Sequence, residues 1–528
     1  MFHILVSDKL GQPGLERLAQ DPTIHFDVKT GLSESELIKE IAQYDALIIR
    51  SGTQVTSAVL EAGVRLKVVG RAGIGVDNVD VKAASNRGVI VTNTPQANTI
   101  ATAEHTMTSL LAACRHTAAA HASLLAGQWE RSSYTGIQLY QRTLGLLGFG
   151  RISRHVAKRA QAFGMKVIAY DPYVNPEVGD QNGVKLLELD EVLAQADMIS
   201  LHTSMSPETE NIINQENLNK CKDGVIIVNP SRGKLVDEYA LADAVKSGKV
   251  RAAAVDVYRN EPPAKDHPLI GLENVLHTPH LGASTEEAQR DVALQIVDQV
   301  IGALNNKDFR NAVNMPFEVG PDFKKMEPYM VLAAKIGMLQ FHMAEGPVQS
   351  INIELKGEAV SDMAKPIATG VLKGYLQSVI PESVNYINAP ALAHERGIVV
   401  SQSKDLTSAD YTNLIVIKVN WQGGSRTISG TLFSGEYPRV VRIGDYQLDV
   451  DPTGTMLMMV NNDTPGVIGK VGTILAEDGV NIAEWRLGRS QAGDRALAFI
   501  QLDSEPSTEA IARLKKVDAI EKLKVIDI

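Results

Sequence analysis

Cysteine is scarce. Cys114 and Cys221 are the only two in 528 residues, too few for a disulfide framework and without the spacing of a metal site, so no metal is expected. Low cysteine use suits a reducing cytoplasm. No apolar run approaches the roughly 20 residues that span a bilayer, so no membrane partner is expected. The start MFHILVSDKL carries Asp8 and Lys9 directly behind a short apolar stretch, which is not the pattern of a secretory signal. Positive charge is also in short supply: 52 Lys and Arg against 62 Asp and Glu give a net charge of −10 at pH 7. Most of such a surface repels nucleic-acid phosphates. A small anionic substrate stays open, because a few arginines in a cleft bind one anion whatever the global charge. His116 and His121 miss the i, i+4 spacing of a helical metal pair and read as helix-surface residues. Low-complexity tracts and short-period repeats are absent as well.

What is present is a long, ordinary globular composition, 44% hydrophobic and 22% charged, enough for two to four domains. HILVSD, HFDVKT, DALIIRSG, LKVVGRAG and VIVTNTP read as buried strands with helical segments such as SESELIKEIAQ between them. That alternation predicts a parallel sheet covered on both faces. The alanine-rich stretch Asn98–Trp129 reads as one long helix. A second alternating unit runs from TLGLLGFG through KVIAYD, MISLH, GVIIVNP, RAAAVDVY and NVLHTPH, closed by the helix STEEAQRDVALQIVDQVIGALNN. The expected architecture is therefore α/β, followed by an α+β domain over 317–453 with the hairpin signal WQGGSRTISGTLF. From 454 to 528 the order strand, helix, strand, strand, helix, strand is ferredoxin-like.

The segment LGLLGFGRISRHVAKRAQAFGMKVIAYDP carries a Rossmann-type dinucleotide fingerprint. Gly148 and Gly150 end a strand and open a helix whose apolar residues Ile152, Val156, Ala160 and Phe163 recur at helical spacing. Glycine lets the backbone turn sharply and approach a pyrophosphate that the helix N-terminus stabilises. Ser153 stands where a third glycine is usual and is small enough for close helix–strand packing. Asp171, 21 residues beyond Gly150, ends the next strand. A carboxylate there accepts from ribose hydroxyls and repels a 2′-phosphate, which favours NAD over NADP.

Arg232, Glu261 and His280 follow later strands of the same unit. Oxidising a 2-hydroxy acid needs a base, a cation for the carboxylate and an open path for hydride. His280 fits the base, Glu261 a partner that orients its ring, and Arg232 a bidentate carboxylate clamp. Singly, each has a duller reading as a loop histidine, a solvated carboxylate and a helix-start arginine. The first unit offers Arg50, Ser51, Arg71, Gly73 and Asn98 to the same cleft. Further arginines suit a second anionic group on the substrate, though the count alone decides nothing.

VNPSRGKLVDE, DVYRNEPP and TPHLGAST, in that order after GFGRIS, resemble the signatures of the D-isomer-specific 2-hydroxyacid dehydrogenases over roughly residues 1–316. The resemblance implies catalytic roles for Arg232, Glu261 and His280. It implies cofactor contacts at Arg151, Ile152, Asp171, Thr203, Pro230, Ser231 and Asp256, with Gly282 and Ala283 beside the histidine. It also implies that a Rossmann-type NAD domain (99–284) is inserted into a flavodoxin-like substrate domain split between 1–98 and 285–316. The tail MVNNDTPGVIGKVGTILAEDGVNIAEW is similar to an ACT domain, a small module that binds amino acids. All the pieces together resemble the long-form, phosphoglycerate-oxidising branch of the family. That implies oxidation of 3-phospho-D-glycerate to 3-phosphohydroxypyruvate, the opening step of the phosphorylated route to L-serine. It further implies L-serine as a candidate allosteric inhibitor at Asn461, Asp463 and Asn481, a homo-tetramer or larger, and Arg131 reaching a neighbour's active site.

The rival readings are a glyoxylate or hydroxypyruvate reductase, a non-enzymatic NAD-sensing corepressor and a pure amino-acid sensor. The first gives no role to the last 200 or so residues. The amino-acid-binding tail speaks against the second, and the last leaves the cofactor fingerprint unused.

Overall fold

A computed structural model describes residues 1–528 except 320–322, 381–383, 406–409, 490 and 492–493. The described strands form four sheets. The first is parallel and comprises β1 (Phe2–Val6), β2 (Ile24–Val28), β3 (Ala46–Ile49), β4 (Val68–Arg71) and β5 (Ile90–Asn93), in the order β2-β1-β3-β4-β5. Its inner strands β1, β3 and β4 carry consecutive buried residues because both faces are covered, whereas the edge strand β2, read in advance as buried, alternates apolar residues with His25 and Asp27 and is not buried. On one face Ile4, Val6, Ile48 and Val68 meet Ala293, Ile296, Val297 and Val300 of the helix Glu286–Leu304. The chain thus leaves this lobe, builds the second, and returns to complete the first.

The second sheet is also parallel: β6 (Thr143–Leu147), β7 (Lys166–Tyr170), β8 (Lys185–Leu186), β9 (Met198–Leu201), β10 (Val225–Asn229), β11 (Val250–Val255) and β12 (Val275–His277). The order β12-β11-β10-β9-β6-β7-β8 reverses between β6 and β9, and ligands of such sheets bind beyond the strand ends at that reversal. The helix Arg151–Ala162 buries Val156, Ala157 and Ala160 against Leu144, Leu146 and Val167. Phe163, expected on that face, lies past the helix end and is 47% exposed, because the chain turns away at Gly164, whose φ is +72°.

The single helix expected over 98–129 is two, Thr99–Arg115 and Thr117–Leu125, broken at His116 with φ 51°. The cause is a competing hydrogen bond. The Ile137 N–H donates to Cys114 O at 3.0 Å, taking a carbonyl that a continuous helix would use four residues on. Alanine propensity favours helix but does not fix its direction through such a point.

The third sheet comprises β13 (Val348–Lys356), β14 (Val399–Asp405), β15 (Leu414–Trp421), β16 (Gly424–Phe433), β17 (Tyr437–Ile443) and β18 (Tyr446–Val450). Its order is β14-β13-β15-β16-β17-β18, antiparallel except for β13–β14. The hairpin read from WQGGSRTISGTLF joins β15 to β16. The fourth sheet, β19 (Thr455–Asn462), β20 (Ile482–Arg489), β21 (Arg495–Leu502) and β22 (Ile520–Asp527), has the antiparallel order β20-β21-β19-β22. One face carries the helices Val467–Glu477 and Thr508–Leu514 over Leu457, Met459 and Ile500. Through Met456, Met458, Leu497, Phe499 and Ile526 it joins the core of the third sheet. No described helix is long and apolar enough to cross a membrane.

Helices Phe323–Met343 and Ala364–Gln377 cross at backbone contact over that core. A side chain on Gly374 would collide with Ala334 O, and one on Gly337 with Val371 O. Gly374→Val therefore forces the helices apart, with an expected cost of about 1–3 kcal/mol, typical of overpacking. The midpoint of urea unfolding followed by tryptophan fluorescence should fall with its slope unchanged; a midpoint equal to the parent's would contradict this crossing.

Candidate active site

β6 ends in the turn that the glycines require. Gly148 has φ +93°, and a Cβ there would come within 2.7 Å of the His202 carbonyl carbon. Gly150 heads the helix Arg151–Ala162, and nothing lies within 4 Å of where its Cβ would project. An open strip beside unpaired helix-start N–H groups suits an anionic group. Ser153 is fully buried, and its Oγ donates to Gly150 O at 3.1 Å, so the departure from glycine is accommodated without an orphaned hydroxyl. Asp171 sits at the tip of β7, where Oδ2 accepts from Phe149 N at 2.8 Å and Oδ1 from Tyr173 N at 3.0 Å. Beyond β9 the Thr203 hydroxyl is buried without a partner. Ser231, following Pro230, donates through Oγ to Thr203 O at 3.0 Å. Arg151 is exposed and Ile152 half-buried at the helix start. The open strip, the strand-end carboxylate and the unpartnered Thr203 hydroxyl fit a dinucleotide laid across the reversal.

The loop after β12 is organised by one buried carboxylate. Asp256 Oδ1 accepts from Thr278 Oγ1 at 2.6 Å and Leu281 N at 2.7 Å, and lies 3.1 Å from His105 Nε2. Its Oδ2 accepts from Gly282 N at 2.9 Å, and its carbonyl from His280 N at 2.8 Å. His280 is thereby held at φ 56°, a conformation rare for a non-glycine residue. Burial raises the Asp256 pKa, but hydrogen bonds from His105, Thr278 and Leu281 outweigh it and hold the carboxyl below its ordinary value. Ala283 follows Gly282 in this loop.

His280 Nδ1 lies 2.7 Å from Glu261 Oε2, and Glu261 Oε1 accepts from Tyr258 N at 3.1 Å. Burial pushes the Glu261 carboxyl up, but the hydrogen bond and charge of His280 and the Tyr258 N–H bring it below the usual range. An ionised carboxylate only accepts, so Nδ1 carries the proton and Nε2 is left as the basic nitrogen. A cavity of about 380 Å³ opens beside the pair, lined by Tyr258, Pro262, His277 and Pro279 among others. The Tyr258 hydroxyl lies 3.0 Å from His277 Nδ1, a second layer that sequence reasoning missed.

Arg232 follows β10, seated next to the Glu261 loop because Gly233 packs on the backbone of Tyr258. Its Nε donates to Asp77 Oδ2 at 2.9 Å and its Nη1 to Ser231 O at 2.7 Å. Arg71, at the end of β4, has its Nε buried without a partner. Burial, then the positive charge of Arg232, push its pKa down to about 10, which leaves it cationic at neutral pH. Arg50 adds a further positive charge acting on Arg71, and its backbone N–H is held by Asp8 Oδ2 at 2.6 Å. Gly73, at φ +144°, and Gly75 wrap the loop around these guanidiniums: a side chain on Gly73 would strike Arg71, and one on Gly75 would strike Arg232. Asn98 heads the helix Thr99–Arg115, with its Oδ1 buried and unpartnered. Ser51 is exposed beside Arg50, and Arg131 is exposed in the turn after Leu125. Asp77 and Asp8 were missed by the sequence reading, although Asp77 lies in the same GRAGIGVDNVD run as Arg71.

In the last sheet Asn461 is buried, its Nδ2 donating to Asn462 O at 2.8 Å. Asp463 Oδ2 lies 3.2 Å from Arg489 Nε, and Asn481 Nδ2 donates to Asp503 Oδ2 at 2.7 Å. Asn481 stands just ahead of β20, which runs parallel to β19, so it lies at the opposite end of the sheet from Asn461 and Asp463 and the chain does not bring the three together.

Residues 107–282 match the NAD-binding domain of D-isomer-specific 2-hydroxyacid dehydrogenases, and 325–444 the intervening domain of D-3-phosphoglycerate dehydrogenase. The chain is 38% identical to D-3-phosphoglycerate dehydrogenase of Archaeoglobus fulgidus, over 98% of each chain. It is 39% identical to that of Methanocaldococcus jannaschii, over the full length of both. Among solved structures, the TT0316 protein of Thermus thermophilus is 35% identical with a TM-score of 0.55, covering 59% of this chain and 99% of its own. D-Lactate dehydrogenase from Aquifex aeolicus, complexed with NAD and lactic acid, is 27% identical with a TM-score of 0.53, over 58% of this chain and 96% of its own. The chain belongs to the D-3-phosphoglycerate dehydrogenase family, and its cofactor is NAD.

The lowered Asp256 pKa has a testable sign. Its contribution to stability is present above the ordinary carboxylate value of 3.8 and is lost as pH falls through the lower, folded value. Asp256→Asn should lower the thermal midpoint at pH 7, and the gap to the parent should close as pH falls below that value. A gap of constant size across that range would contradict the linkage.

Proposed function

We propose that this chain oxidises 3-phospho-D-glycerate at C2 to 3-phosphohydroxypyruvate, opening the phosphorylated route to L-serine. The observation that carries the reading is full-length likeness to enzymes of that name, joined to the Arg232, Glu261 and His280 set beyond the C-terminal ends of β10, β11 and β12. Bound NAD supplies the hydride acceptor. Gly148, Gly150, Arg151 and Ile152 would hold the pyrophosphate at the helix start, Asp171 would take the ribose hydroxyls, and Thr203, Pro230, Ser231, Asp256, Gly282 and Ala283 would supply further cofactor contacts. The Nη nitrogens of Arg232 hold the C1 carboxylate and polarise the C2 oxygen. His280 Nε2 takes the C2 hydroxyl proton, and Glu261 stabilises the imidazolium that results. Arg50 and Arg71, with Ser51, Gly73 and Asn98, form the cationic wall for the phosphate. Asp256 shapes the His280 loop beside the cofactor.

His280→Ala should lower turnover by roughly 10²–10⁴-fold, the usual worth of a positioned base, while NADH still binds by fluorescence titration. Activity within about threefold of the parent would remove His280 from the mechanism.

Regulation by L-serine at Asn461, Asp463 and Asn481 belongs to the same proposal. Its support is the position of Asn461 and Asp463 at the end of β19; Asn481, just before β20, lies at the opposite end of that sheet, so one L-serine meets all three only where two copies pair. Inhibition requires L-serine to prefer one state of the cleft, with a coupling of about 1–3 kcal/mol. Calorimetry should show L-serine binding to the whole protein in the millimolar range or tighter; no heat of binding there would end this reading. We further propose a cytoplasmic homo-tetramer in which the exposed Leu124, Leu125 and Trp129 contact a neighbouring copy and Arg131 reaches its active site.

A further inference from the structure

We propose that Asp77 is a positioning residue for the oxidation, holding the Arg232 fork from the opposite lobe and tempering the cleft's attraction for anions. The bond runs between the loop after β4 and the loop after β10, 155 residues apart in the chain. A guanidinium has five N–H donors in one plane. Asp77 occupies Nε and Ser231 O one hydrogen of Nη1, so three donors remain, all on the Nη nitrogens. The edge that includes Nε is closed to ligand, and a substrate carboxylate must meet the Nη nitrogens. Asp77 thereby selects which face of the fork is offered.

The pair is not there for stability. Its side chains are 30% and 59% exposed, and ion pairs this wet add little to folding. Direction is what it supplies, since a planar fork binds well only when its plane is set. Charge is the second effect. Arg232 and Arg50 act repulsively on Arg71, while Asp77 and Asp8 act on it with the opposite sign. Without Asp77 the cleft holds a more positive field and binds small anions more tightly before any chemistry. Uniformly tighter binding of that kind does not raise turnover.

The proposal rests on the reading that Arg232 clamps the substrate. Steady-state oxidation of 3-phosphoglycerate by Asp77→Ala, Asp77→Asn and Arg232→Lys tests the two separately, with NADH binding confirming that each variant keeps an intact cofactor lobe. Asp77→Ala should lose about ten- to a hundredfold in kcat, the scale of a misplaced clamp, with KM no higher than the parent's. Asp77→Asn keeps an acceptor for Nε without the charge, so it should recover most of the kcat and lower KM. An alanine variant with parental kcat, or one that only raises KM, would overturn the proposal. So would an asparagine variant no better than alanine. Parental kinetics for Arg232→Lys would instead remove the clamp itself, whereas loss in Arg232→Lys with none in Asp77→Ala would remove only the role of Asp77.

Discussion

The buried carboxylate of Asp256 is the interaction on which the site depends. It directly follows β11, yet its bonds go to the loop that follows β12. Three acceptor positions on one residue are spent on fixing residues 278–282, and the left-handed turn at His280 persists because its neighbours over-determine it. Removing those bonds would leave buried N–H groups unpaired, which costs more than the bonds themselves contribute. His105, from the helix Thr99–Arg115, closes the arrangement from the other side, so the packing of that helix is coupled to the placement of the imidazole.

The site joins elements of two different sheets, and that division decided how much could be read in advance. Apolar runs such as ALII and VIIVN declared buried strands because both faces of each parallel sheet are covered. Gly148, Gly150, Asp171, Glu261 and His280 were legible because each residue type at its spacing has a backbone or chemical reason. The break at His116 was not legible, since it depends on Ile137 competing for the Cys114 carbonyl. Phe163 fitted a helical period but fell beyond the last turn. Asp77 could not be recognised from its own segment, because its partner Arg232 belongs to the other lobe and only the folded cleft brings them together.

The C-terminal half shows a different economy. The third and fourth sheets do not keep separate interiors: Met458 and Phe499 of the fourth pack with Ile417 and Val440 of the third. The helix Phe323–Met343 reaches both ends of this assembly. Phe323 and Met330 sit in the core of the first sheet, while near its far end Glu345 pairs with Lys522 and His342 O accepts from Lys524 Nζ at 2.8 Å. One helix thus touches the first lobe and β22.

The return of the helix Glu286–Leu304 to the first sheet also sets an order of events on the ribosome. Strands β1 to β5 are all made by Asn93, but the apolar face of Ile4, Val6, Ile48 and Val68 is covered only in part, by Leu15 and Leu18 of the helix Gln12–Ala19, until the residues around Ala293 and Val300 emerge. At about 5–20 residues per second this leaves the nascent first lobe half-finished for roughly 10–40 s. In that interval the second sheet is synthesised whole, with its own helices to cover it. The lobe that begins the chain is therefore the later of the two to be completed, and a half-covered apolar face must be kept from other nascent chains while it waits.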